Sequence, residues 1–398
     1  MKEHPAHEGA EVAQAQATLE IVRGMRSEFL EFLSALAEIE SPTDRPETQA
    51  PVQDELARAF RALDYDVRII PGHGTGGHLY ARPKNRARGA RSQLLVGHTD
   101  TVWPVGTLAE MPVRVEGDRL RGPGTLDMKG GLTMIVFALR ALRELGIEPA
   151  VVPVVFMNSD EEVGSPDSKR YVRMLGRRVC RAFVLEPALG PDARIKTARK
   201  GIGRFEVAVK GKASHAGLAP EAGASAIVEL SHVIQRLHAL NDAERGTTVN
   251  VGVIDGGIRP NVVAAVARAS VDARVRTMDD ARALEADVAA IRPITPGVTV
   301  EVTGGIAIPP LERTPRNRAL WDVAVEAGRE LGFNLEEGMA GGGSDGNTTS
   351  LFTATLDGLG CVGDGAHAEH EHIEIDPTLD RCALLARLLL SPASGSTT

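Results

Sequence analysis

Cysteine is nearly missing from this sequence. Three residues in 398, Cys180, Cys361 and Cys382, are too few and too scattered for a disulfide framework or a cysteine zinc site. No run approaches about eighteen uninterrupted apolar residues, which excludes a membrane-spanning helix. Surplus positive charge is absent too. Lys and Arg number 45 against 53 Asp and Glu, for a formal charge of -8, and the pI is near 5.8. That balance excludes nucleic acid or an acidic membrane surface as the main partner. The opening MKEHPAHEGAEVAQAQ has no apolar segment of the kind a secretory signal needs, so a cytoplasmic protein is expected. What is present is ordinary for a globular chain with a sizeable core: 43% hydrophobic and 25% charged residues. The length suits roughly two to three domains.

Along the chain there is no internal repeat. Residues 1–18 are polar and Ala/Gln/Glu-rich and read as a disordered lead-in, and the tail SPASGSTT as a disordered end. From 19 to 38, Leu19, Val22, Phe29, Leu30, Leu33 and Leu36 recur at helical spacing. A second helical pattern runs over 52–63, and a Gly-rich turn over 72–77. LLVG at 94–97, VVPVVFM at 151–157 and CRAFVL at 180–185 are continuous apolar strands, with a strongly apolar helix at 130–145 between the first two. Continuous rather than alternating strands, separated by helices, mean a largely parallel sheet covered on both faces. The style changes near Gly201. Phe205, Val207 and Val209 alternate with polar neighbours, and so do Val271, Ala273 and Val275. Helices at 222–240 and 279–291 and strands at 248–254 and 297–302 complete a β-α-β-β-α-β order. After Pro309-Pro310 a helix at 320–331 returns to the first style. The partition is an α/β domain over 19–200 and 313–398, interrupted by a small α+β domain over 201–312.

The polar residues that matter stand where apolar runs stop. LLVG ends in His98-Thr99-Asp100, VVPVVFMNS in Asp160-Glu161-Glu162, and AFVL in Glu186-Pro187. Open α/β sheets place ligands beyond the carboxyl ends of their strands, so three strands deliver His, Asp and Glu to one edge. Asp127, in GPGTLDMKGG, directly precedes the apolar helix, and GDGAHAEHEH sets His367, His370 and His372 on a Gly-flanked loop. Histidine with carboxylates and no cysteine is a donor set for a divalent metal, and for catalytic rather than structural zinc. Each feature also has an ordinary structural reading. Asp127 can cap the helix behind it, Glu161-Glu162 can be a solvated acidic loop, and the histidines a polar turn.

GHTDTVWP, GPGTLDMKGG, NSDEEVGSP, LEP, ARKGIGRF, GKASHAG, GGGSDGN and GAHAEHEH, in this order and over about residues 20–390, resemble the two-zinc aminoacylase and carboxypeptidase family that includes bacterial glutamate carboxypeptidase. The resemblance implies a metallopeptidase domain of mostly parallel sheet with an inserted dimerisation domain. It implies two divalent ions per subunit, zinc foremost, with manganese or cobalt also suited. Asp127 would bridge them, His98 and Glu186 would complete one site, and Glu162 with His367 the other. Asp100 would hold the His98 ring in its ligating tautomer, the peptide after Asp127 would be cis, and Glu161 would be the general base. His215 in KASHAG would reach the active site of a partner subunit as an oxyanion donor, making a homodimer through the inserted domain functional. By itself His215 is an ordinary histidine on an exposed turn.

Asn261, Arg274, Gly342 and Gly343 match positions that help bind a small-molecule substrate, although Arg274 equally suits a solvated strand face. Lys200 is left unassigned. Two positions depart from the family. Ala264 stands where proline is usual, and Ile308 precedes Pro309 where relatives that release a C-terminal glutamate carry an Arg that grips the α-carboxylate. An isoleucine cannot replace a bidentate Arg–carboxylate contact. The implied activity is hydrolysis of a C–N amide bond by a metal-activated water, most like a glutamate carboxypeptidase or N-acyl amino acid hydrolase. The alternative is an amidohydrolase or aminohydrolase acting on a non-peptide C–N bond, such as an aryl amide or aromatic amine. A non-catalytic metal-binding scaffold is the remote alternative, disfavoured because all five ligand candidates and the base are present.

Overall fold

The computed structural model describes residues 5–393, with side chains from residue 9 on. Six strands form the main sheet in the spatial order Tyr65–Ile70, His78–Pro83, Val152–Asn158, Ser92–His98, Arg181–Val184 and Ala354–Leu356. The last four run parallel, and the first two join antiparallel at one edge. Alternate residues of the central strands serve two different cores. Leu95, Val155, Met157 and Phe183 face the helices Gly130–Glu144 and Ile375–Leu390, while Leu94, Val96, Val154, Phe156 and Val184 face Val172 and Leu175. Both faces are therefore dry, which is why these strands are apolar at every position. The helix Gly130–Glu144 links the first parallel pair and brings the carboxyl ends of three strands to one edge, with His98 opposite Asn158.

Two expectations fail here. The described part of the supposed lead-in is the helix Pro5–Gly24, which contacts the helices Ile375–Leu390 and Pro315–Leu331. Ala15, Leu19 and Val22 form its buried stripe, so distant helices supply the packing that its local composition does not reveal. The single helix expected over 19–38 is broken at Met25, and a second helix, Arg26–Ala37, follows. Of the tail, residues 391–393 are described, and the Arg181 guanidinium donates to the carbonyls of Ser391 and Pro392. Residues 394–398 lie outside the described residues.

The chain divides into two compact units, and 198–312 with 340–343 form the smaller one. This differs from the expected 201–312. Lys200 N–H donates to Ala340 O, and the Arg199 guanidinium to the carbonyls of Gly342 and Gly343, which holds the glycine run to this unit. Its four-stranded sheet is antiparallel throughout, ordered Thr248–Gly256, Val266–Val275, Gly201–Lys210, Thr299–Ile308. Helices Ala226–His238 and Met278–Ala289 cover one face through Leu230, Val233, Leu284 and Val288. The caps are Ser225 and Thr277, each accepting an N–H of the first turn. The other face carries Arg204 and Glu206, which accounts for the alternation read at 205–209. Among the described residues no helix is long and apolar enough to cross a membrane.

Candidate metal centre

His98 ends its strand almost wholly buried. Its Nδ1 lies 2.9 Å from the Asp100 main-chain oxygen, a pure acceptor, so Nδ1 carries a proton and Nε2 is the nitrogen free to ligate. That Nε2 stands 3.2 Å from Asp127 Oδ1 and 3.5 Å from Glu186 Oε1. The Asp100 carboxylate has a further task. It accepts the main-chain N–H of Glu161 at 3.3 Å and of Glu162 at 3.2 Å, together with the Thr43 hydroxyl at 2.8 Å. One buried acid thereby fixes the turn that carries the two glutamates.

Asp127 lies between two imidazoles. Its Oδ1 faces His98, and its Oδ2 is 3.4 Å from His367 Nε2. The Asp127–Met128 peptide is cis. Glu162 Oε2 sits 3.2 Å from His367 Nε2, and Glu162 Oε1 is buried with no hydrogen-bond partner. His367 has φ of 62°, a left-handed backbone uncommon outside glycine and found at ligand-bearing turns. The ligating atoms of His98, Glu161 and Glu186, and those of His98, Asp127 and Glu162, lie within 4.8 Å of one another. His370 and His372 stay outside. His370 is exposed, with Asp364 at 3.8 Å. The His372 Nδ1 lies 2.8 Å from the His370 carbonyl, and its strand His372–Glu374 belongs to a small antiparallel sheet with Arg119–Arg121.

The charges fit a divalent metal. Burial pulls the His98 pKa down, yet Asp100, Asp127 and Glu186 outweigh it and hold it well above the ordinary value. Asp127 and Glu162 raise His367 to about 10. Desolvation, and after it the charge of Glu186, pushes Glu161 well above the usual carboxylate range. Carboxylates outnumber cations here, and an oxygen of Glu162 is left without a partner. Oxygen and imidazole donors without sulfur suit a hard or borderline divalent cation.

Two carboxylates were invisible to the motif reading. Glu371, between His370 and His372, is fully buried and accepts four N–H donors, and nothing in the sequence separates it from the exposed Glu369 and His370 before it. Asp345 accepts from Ser165 Oγ and Asn158 Nδ2 behind the Glu161 turn, and burial raises its pKa to about 6. The sequence offered it only as part of a glycine loop.

The remaining expected residues lie in the smaller unit. His215 is exposed, and its Nδ1 accepts the N–H groups of Gly217 and Leu218, both at 3.2 Å, so its neutral ring presents Nε2–H as a donor. Asn261 adjoins it, its carbonyl accepting Ala216 N–H at 3.0 Å. Arg274 is engaged bidentately by Asp272, at 2.8 and 2.9 Å, with Gly341 O at 3.4 Å. Ile308 and Ile202 close around Gly343, their methyls 3.1 and 3.2 Å from where a Cβ would stand, whereas Gly342 has open space.

A parallel sheet that gathers histidines and carboxylates at its carboxyl edge, with an α+β insert, defines a metal-dependent hydrolase. The description of peptidase family M20/M25/M40 matches residues 94–391, and the chain belongs to that family. It is an enzyme that hydrolyses amide bonds. Carboxypeptidase G2 of Pseudomonas sp. (strain RS-16) is 31% identical over 370 residues, 91% of this chain and 89% of that one. Acetylornithine deacetylase of Myxococcus xanthus is 35% identical over 210 residues, 50% of this chain and 53% of the other. Among solved structures, aminopeptidase PepT of Bacillus cereus superposes with a TM-score of 0.76 at 22% identity, covering 94% of this chain and 98% of that one. The metallo-carboxypeptidase Sso-CP2 of Sulfolobus solfataricus gives 0.69 at 18% identity, covering 92% and 98%.

Proposed function

We propose that the enzyme binds two divalent ions, zinc foremost, and hydrolyses the amide of an N-acyl amino acid, as a carboxypeptidase does. The observation that carries this is the Asp127 carboxylate, each of whose oxygens faces one histidine. His98 and Glu186 would hold one ion, Glu162 and His367 the other, with Asp127 shared between them. Bound there, the ions supply Lewis-acid polarisation of the scissile carbonyl and activation of a water. The chain's own residues do the rest. Asp100 fixes the His98 ring and the Glu161-Glu162 turn. Glu161 takes the proton of the attacking water and passes it to the leaving nitrogen.

His215 is proposed as the oxyanion donor in the site of a second copy, its Nε2–H set by the two backbone bonds to Nδ1. Dimerisation through the inserted unit is supported by its edge strand Thr248–Gly256, which exposes Val253 and Ile254, and by the exposed Ile227, Val228, Leu218 and Ile258. Mixing His215→Ala and Glu161→Ala subunits should restore activity in hybrid dimers. Demonstrated heterodimers without recovery would refute it. Asn261, Arg274, Gly342, Gly343 and Ile308 are proposed to contact substrate.

A second reading has its own observation. Ile308 and Ile202 form an apolar pair, and Arg274 is already satisfied by Asp272. Neither supplies an obvious grip for an α-carboxylate, which favours an aryl amide or aromatic amine. The deciding experiment compares turnover, by metal-loaded enzyme, of an N-aroyl glutamate and the same aryl amide without its α-carboxylate. A strong preference for the glutamate compound supports the carboxypeptidase reading. Equal or reversed rates select the second.

A further inference from the structure

Glu371 is fully buried. Its Oε1 accepts the main-chain N–H of Leu126 at 2.9 Å and of Asp127 at 3.0 Å. Its Oε2 accepts Gly124 N–H at 2.9 Å and Trp103 Nε1–H at 2.7 Å. Four donors converge on one carboxylate, and they come from segments with separate duties. Trp103 lies five residues beyond His98, the 124–127 turn ends in Asp127, and Glu371 itself follows His367 by four residues. Main-chain bonds reinforce the junction: Gly122 N–H donates to Glu371 O at 3.3 Å, and Glu371 N–H to Ala368 O at 2.9 Å. Gly365 permits the close approach, since a Cβ there would stand 2.8 Å from Glu371 N. The buried Lys129 ammonium supplies a nearby opposite charge.

We propose that Glu371 is a positioning residue that sets the metal-binding geometry by locking the Asp127 turn to the segments bearing His98 and His367. The argument is one of donors and acceptors. Four N–H groups pointing at one place require an acceptor with two oxygens and no hydrogen, which among side chains only a carboxylate provides. A glutamine would turn its own NH₂ toward two of those donors and force the turn apart. Partners that orient ligands typically control metal affinity by 10–100-fold. The inference rests on the reading of His98, Asp127 and His367 as ligands.

The test uses the full-length protein stripped by a chelator and titrated with Zn²⁺ and Co²⁺ against a chromophoric competitor, beside melting of the metal-free form. Glu371→Gln should weaken at least one bound ion by about 10–100-fold, out of proportion to any change in metal-free Tm. Glu371→Asp, which keeps the charge, should recover part of that loss. Trp103→Phe, which removes one donor and leaves the carboxylate, should weaken binding by less than about tenfold. A wild type that binds metal and a Glu371→Gln protein that binds it equally well overturn this inference alone. If Glu371→Gln does not fold, unchanged affinity in both Glu371→Asp and Trp103→Phe overturns it. A wild type that binds no divalent ion overturns the ligand reading and this inference with it.

Discussion

Gly131 is the second residue of the helix Gly130–Glu144, where that helix meets the segment carrying Glu186. A Cβ at this position would stand far inside van der Waals contact with the Leu185 carbonyl oxygen and 3.1 Å from Leu185 C and Cβ. The obstacle is backbone, so it cannot swing aside as a side-chain end could. Gly131→Ala must therefore push helix and strand apart by about 1.4 Å to restore a contact of roughly 3.5 Å. Overpacking of this kind costs about 1–3 kcal/mol, and the better helix propensity of alanine returns up to about 1 kcal/mol. The net is a loss of about 1–2 kcal/mol, or about 1–2 °C in Tm at this chain length. The larger effect falls on function. Glu186 follows Leu185 directly and lies 3.5 Å from His98 Nε2, while a working constellation tolerates displacements of about 0.5 Å. Gly131→Ala should weaken the ion proposed for His98 and Glu186 and spare the one proposed for Glu162 and His367. Gly24→Ala is the control, because a Cβ there meets nothing within 4 Å. Calorimetry and metal titration read both effects. A Gly131→Ala protein with wild-type Tm and two unchanged affinities would refute the reasoning.

Glu161→Ala should keep its metal and lose about 10²–10⁴ in kcat, the range for a positioned proton-transfer group, so near-normal turnover removes the general-base assignment. Chelation should lower Tm and added metal restore it, since free metal at 100 times its Kd contributes about 2.7 kcal/mol; a Tm indifferent to metal contradicts the centre. Asp345 gives a pH dependence with a definite sign. Burial raises its folded pKa to about 6, above an unfolded value of about 3.9, so the folded state holds the proton more tightly. The stability from this group is full below about pH 4 and falls by about 3 kcal/mol as pH rises through about 6. In metal-free protein, Asp345→Asn should flatten the decline between pH 4 and 7, and parallel stability profiles for the two proteins would refute it.

The sheet was legible because both of its faces are buried, which forces apolar residues at every position of 94–97 and 152–157 and leaves no ambiguity of period. His98 and Glu186 stood out as candidates for the same reason, as the first polar residues after such runs, and Glu162 as part of the acidic turn that follows one. Asp127 and His367 sit on turns without a periodic signal, and the roles proposed for them came from the resemblance of the motifs around them. The helix Pro5–Gly24 was misread because its packing comes from helices some 300 residues away, which no local window sees. The strand Thr299–Ile308 runs past the expected 297–302 because pairing with Gly201–Lys210 carries it through Gly304-Gly305, where propensity alone would stop it. Glu371 was hidden most completely. Its role consists of hydrogen bonds to residues some 240 positions earlier.

The buried acids around the centre share one device. Asp100 accepts the N–H groups of Glu161 and Glu162, Glu371 those of Gly124, Leu126 and Asp127, and Asp160 those of Asp167 and Ser168. The turns over 124–127 and 161–168 are thus each tied to a buried carboxylate. Hydrogen bonds to a charged acceptor are the strong kind, at about 1.5–3 kcal/mol each. The same choice loads the neighbourhood with negative charge beyond what the ligands themselves bring. Protons on His98 and His367 offset part of it in the metal-free protein, as their raised pKa values show. A divalent cation must displace those protons to reach the imidazoles, so metal binding should tighten as pH rises. The carboxylates that give the turns their shape are therefore also part of what makes the centre attract cations. Replacing an outer acid such as Glu371 by its amide tests position and charge together, which is why the aspartate variant, keeping the charge and losing the reach, separates them.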